Sequence, residues 1–165
     1  MSHALPDPLH RWRLYPEAWR AGAGPSERGR RTLYVTAHVW ATKADMLRVR
    51  RANGYRGDCQ AYVAPLVRVS TGGRRERVLG EVAEVHFHRA RLGTEIVTHE
   101  MTHAALAWYR RRAATRRALT AEPMMAGAEI GDAEEAFCYA LGSMVRDFVN
   151  RAHDAGLYAP VSPRA

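Results

Sequence analysis

Residues 94–108 read TEIVTHEMTHAALAW, and two histidines four positions apart within them, His99 and His103, decide how the rest of the chain is read. Ile96, Val97, Met101, Ala104, Ala105 and Trp108 recur at helical spacing. The stretch is therefore expected to form an amphipathic helix over 94–111, with Thr94 as its cap and Gly93 ending whatever precedes. Four residues on a helix advance about one turn, roughly 6 Å, so both imidazoles leave the same face. Two such nitrogens can hold one zinc ion at about 2.0–2.1 Å each. Glu100 falls beside that face, where a carboxylate can take a proton from water activated by the ion. The competing explanation is a structural pair of histidines, since the chain has 8 of them; the helical context weighs against it.

Upstream, residues 77–88 (RVLGEVAEVHFH) are expected to form the last strand before this helix. Ala83, Val85 and Phe87 alternate with Glu84, His86 and His88, giving one apolar face and one face with two histidines. The plainest reading of the second face is a solvated one. A more functional reading lets this strand pair with an extended substrate by β-addition, with His86 or His88 approaching the oxyanion. Residues 61–70 (AYVAPLVRVS) make another strand, with Pro65 marking an edge or a bulge, and the turn at 71–74 (TGGR) pairs the two as a hairpin. Thr42 is expected to cap a helix through residue 53, stopped by Gly54. Residues 32–41 (TLYVTAHVWA) form the first strand, in which His38 reads as a packed or edge histidine.

Residues 1–31 carry four prolines and six arginines, and read as an arm with one short helix at 15–20. Trp12, Tyr15 and Trp19 are spaced to dock one side of that helix on the domain. The organisation expected is therefore an arm at 1–31, a domain at 32–156 and a tail at 157–165.

Downstream, residues 113–131 are expected to form a long loop, and a second helix runs from residue 132 to 155 with Gly156 as its stop. Phe137, Leu141, Met144, Val145 and Phe148 are its core stripe. Its opening run, Asp132-Ala133-Glu134-Glu135, holds the best carboxylates for a third metal ligand, although acidic residues there also complement the helix dipole. Glu135 lines up with Cys138, Tyr139 and Gly142, a side whose small residues would admit a neighbouring helix. Glu134 lines up with the core stripe. Glu135 is the preferred ligand, with Glu134 the alternative, and Tyr139 could steady a developing oxyanion.

HEMTH followed about thirty residues later by EEAFCYALG resembles the small zincin-like metallopeptidases of the Glu-zincin type, and most of all their short phage- and prophage-encoded forms. The likeness covers residues 78–156; Cys138 stands where those proteins often have alanine. It implies an α+β fold, a small twisted mixed sheet packed on the motif helix and a second, ligand-bearing helix, with an edge strand along the cleft. It also implies zinc held by His99, His103 and Glu135, with Glu100 as catalytic base and a protein or peptide as substrate.

The 165 residues and 47% apolar content fit one domain with a real core. No run of 18 apolar residues occurs, which argues against membrane insertion. The first residues lack a basic-then-apolar signal pattern, and Cys59 and Cys138 form no CxxC pair; both point to the cytoplasm. There is no phosphate-binding glycine loop and no internal repeat. The charge of +8 comes almost entirely from arginine: only Lys43 is a lysine. Scattered arginines suggest weak nucleic-acid contact at most. The rival class is accordingly a basic nucleic-acid- or protein-binding module that keeps zinc without general protease activity.

Overall fold

The computed structural model describes residues 4–16, 33–66, 69–70, 77–78, 80–115 and 130–158. Its centre is a four-stranded mixed sheet in the order β1-β2-β6-β3, made of β1 (His10–Leu14), β2 (Tyr34–Trp40), β6 (Glu81–His88) and β3 (Ala61–Pro65). β2 and β6 pair in parallel, with His38 opposite His86, and β1 and β3 flank them antiparallel. A separate two-stranded ribbon, β4 (Val69–Ser70) with β5 (Arg77–Val78), realises the expected hairpin pairing, its turn lying outside the described residues. Among the described residues three α-helices, α1 (Lys43–Ala52), α2 (Thr94–Thr115) and α3 (Ile130–Asp154), accompany the sheet. The α+β expectation holds at this level.

The two faces of the sheet are covered differently. Val35, Ala37 and Val39 of β2, with Ala83, Val85 and Phe87 of β6, point into the main core against α2 and α3. There Val97, Met101, Ala104, Ala105 and Trp108 from α2 meet Ala140, Met144, Phe148 and Ala152 from α3, all fully buried. The period-two alternation turns the intervening residues to the opposite face, where Trp40, Tyr62 and Ala64 pack with Met46 of α1. Thr42 caps α1, its hydroxyl accepting the Asp45 amide at 3.1 Å, and Gly54 ends the helix at φ +84°. Pro65 sits on the edge strand β3, where a missing N–H costs no ladder bond.

Several expectations change. Residues 10–14, assigned to the arm, are the edge strand of the sheet: Trp12 meets Phe148 edge-on at 5.6 Å and Leu14 is fully buried. The domain therefore begins well before residue 32, while the expected helix at 15–20 falls largely outside the described residues. The first tail residues also join the core through Leu157 and Tyr158. The strand carrying His86 and His88 is paired on both sides, so it has no free edge for β-addition. Its histidine face is not solvated either: His86 and His88 are buried. α2, finally, runs four residues further than expected.

Candidate functional site

α2 forms for the reasons legible in its sequence, an apolar stripe set into the core beneath β6 and β3, and this orients its remaining faces. His99 and His103 stand exposed on the outer side, one turn apart, with ring centroids 4.9 Å apart and planes nearly perpendicular. Their Nε2 atoms converge to 3.3 Å. Two zinc–nitrogen bonds of about 2.0–2.1 Å at the tetrahedral angle subtend an edge of about 3.3–3.4 Å. The pair thus already has the separation that a shared ion requires, so the donor set fits two positions of a zinc site. Glu100 lies half-buried on the adjoining flank, and burial raises its carboxyl above the ordinary value against the opposing pull of His99 and His103. Burial also raises the Cys59 thiol, and the Glu100 charge adds a little to that shift.

The second helix behaves differently. Glu135, Cys138, Tyr139 and Gly142 do share a side of α3, but that side faces solvent. A Cβ built on Gly142 meets nothing within 4 Å among the described residues, and Tyr139 is 53% exposed. Direction explains the separation. The end of α3 (Gly156, Leu157) and the start of α2 (Gly93, Thr94) line one depression, so the two packed helices run in opposite senses from that shared end. At 1.5 Å per residue Glu135 lies about 28 Å along α3 from there, but His103 only about 13 Å along α2. His99, His103 and Glu135 accordingly do not gather as a metal-ligand group among the described residues. The side chain of Glu134 lies outside the described residues. The structure brings His99, Glu100 and His103 together and leaves Glu135 and Tyr139 apart from them.

A second constellation sits on the other face of the sheet. Among the described residues, one set of three or more His, Cys, Asp and Glu side chains could hold a metal ion: His38, Glu84 and His86, whose ligand atoms all lie within 4.8 Å of one another. The parallel register of β2 and β6 places His38 beside His86, their rings stacked at 4.7 Å, and Tyr62 of β3 stacks on the far side of His86 at 4.3 Å. Glu84 lies 3.8 Å from His38 Nε2 and 3.6 Å from His86 Nε2. These two imidazoles hold its carboxyl well below the usual range despite partial burial. Trp40 donates its indole N–H to His86 Nδ1 at 3.2 Å, and burial lowers the His86 pKa. Nearby, Thr36 donates to the buried Glu81, and His88 Nε2 meets Gln60 at 3.2 Å.

The alternation of Glu84, His86 and His88 is visible in the sequence, and so is His38 within a strand. What joins them is the adjacency of β2 and β6, which are parallel and far apart in sequence, and no single-strand pattern encodes that. No family model, curated protein or solved structure matches this chain. No helix among the described residues is long and apolar enough to cross a membrane.

Proposed function

We propose that the chain is a zinc-dependent peptidase whose working residues are His99, His103 and Glu100. The observation that carries this reading is the 3.3 Å convergence of the His99 and His103 Nε2 atoms on a helix whose next residue offers a half-buried carboxylate. Zinc bound there would acidify a water molecule and polarise the scissile carbonyl. His99 and His103 hold and orient the ion. Glu100 is the general base: it takes the proton of the water and returns it to the leaving amine. Among the described residues β3 is the edge strand on this side of the sheet, and an extended peptide would add to the ladder there. A zincin-like arrangement, with the cleft between β3 and α2, is part of this proposal.

Glu135 keeps the role of third ligand only if the first turns of α3 unwind and fold back when the ion binds. Loss of amide-exchange protection at residues 130–139 on adding zinc tests that clause separately. For the main reading, Glu100→Gln should keep its zinc but lose peptide hydrolysis by about 10²- to 10⁴-fold. His99→Ala and His103→Ala should each lose the ion from this helix. If Glu100→Gln instead releases the metal, the carboxylate is a ligand and not the base.

A further inference from the structure

We propose that His38, Glu84 and His86, on the sheet face opposite α2, form a second metal site, one for a divalent transition ion of borderline character such as zinc. Two imidazoles and one carboxylate are a donor set suited to such ions. They come from neighbouring strands in fixed register, and a rigid sheet holds a coordination geometry better than a loop does.

A second observation points the same way. His38 is 7% exposed and His86 2% exposed, yet both ring nitrogens of His38 and Nε2 of His86 are buried without a hydrogen bond. The Tyr62 hydroxyl beside them is in the same condition. Native interiors rarely leave several polar atoms unbonded in one place, and an ion between the imidazoles and Glu84 would satisfy two of the four, Nε2 of each histidine.

The same geometry predicts what opposes binding. The indole of Trp40 can only donate, so His86 Nδ1 must accept, and neutral His86 carries its proton on Nε2, the atom that faces Glu84. To ligate through Nε2 the proton must move to Nδ1, where it would confront the Trp40 N–H. Ligating histidines ordinarily donate from their second nitrogen to an acceptor; here a donor waits instead. Trp40 therefore weakens the site, and removing its N–H should strengthen it. An ion that gained nothing from His86 would be indifferent to Trp40.

The test is zinc titration of the metal-stripped full-length chain, with thermal unfolding as a check on folding. A His99→Ala/His103→Ala double variant should still bind one equivalent. Glu84→Gln, added to that double variant, should weaken the remaining site by at least about 100-fold. Trp40→Phe in the same background should tighten it by about three- to tenfold, a readout that a merely structural role of these side chains would not give. Absence of zinc uptake by the double variant overturns the proposal, as does undiminished uptake by folded Glu84→Gln. Unchanged or weaker binding by folded Trp40→Phe overturns the assignment of His86 as a ligand. If wild-type chain binds a single equivalent that the double variant loses, this site fails and the α2 site stands. If one equivalent persists in the double variant and wild-type chain binds no more, the α2 site fails and this one stands.

Discussion

Phe148→Ala is the perturbation that most directly tests how α3 is set against the sheet, and with it the separation of Glu135 from the histidine pair. Phe148 is fully buried, 4.8 Å from the Phe87 ring on β6 and 5.6 Å from Trp12 on β1. Truncating a buried phenylalanine costs about 3–5 kcal/mol, with the spread set by how far the surroundings collapse. Here the walls belong to a central strand, an edge strand and a helix, each held by its own hydrogen bonds, so collapse is restricted and the upper half of that range is expected. Each edge-on or tilted aromatic pair adds about 0.5–1.5 kcal/mol of coupling. Urea unfolding should show a loss of about 4 kcal/mol, equivalent to roughly 8–16 °C in Tm for a chain of this size. A double-mutant cycle with Trp12→Ala should return a coupling of about 0.5–1.5 kcal/mol. A loss below about 1.5 kcal/mol would refute the packing of α3 against the sheet. Zero coupling to Trp12 would remove β1 from the domain.

Acid should destabilise the protein in two stages. Burial depresses the folded pKa of His86, so its contribution is complete above about 6.5 and declines as pH falls through its folded value; Glu84, also depressed, contributes fully above about 4.5 and loses that contribution further into acid. Urea midpoints measured against pH should lose the lower stage in Glu84→Gln; an unaltered profile would contradict the ion-pair geometry. Gly156→Ala should cost about 1–2 kcal/mol, because the residue has φ +65° with open space around its Cβ position, so only backbone strain is added; a stabilised variant in thermal unfolding would mean the α3 terminus is not left-handed. Thr42→Ala should cost about 1 kcal/mol by removing the acceptor for the Asp45 amide, checked by chemical denaturation, with Thr42→Asn largely retaining it.

The parts of the fold encoded by short-range pattern were legible in the sequence. The stripe at Val97, Met101, Ala104 and Trp108 implied α2, Thr42 and Gly54 bracketed α1, and Gly156 ended α3. β1 was missed because HRWRL is a short alternation set among prolines and arginines, and its strand character comes from pairing with β2 and docking on Phe148. The His99/His103 face was legible because one helical turn suffices to create it. The side of α3 that bears Glu135 was identified correctly as a set but given the wrong surroundings. Helical phase says which residues share a face, whereas helix direction and packing say what that face meets. The His38–Glu84–His86 grouping was illegible for a related reason: it depends on which strands are neighbours.

The parallel union of β2 with β6 also has a temporal side. Val39 finds its partner in Phe87, a separation on the order of fifty residues that α1 and the edge strand β3 must bridge. Loop-closure entropy has to be spent on that union before the central ladder returns any of it. On a ribosome, β2 would emerge with only β1 beside it, and its other edge would wait until β6 had cleared the tunnel. The helix bearing His99 and His103 is made immediately afterwards, so the platform and the histidine-bearing face it supports would form together, near the end of a slow nucleation.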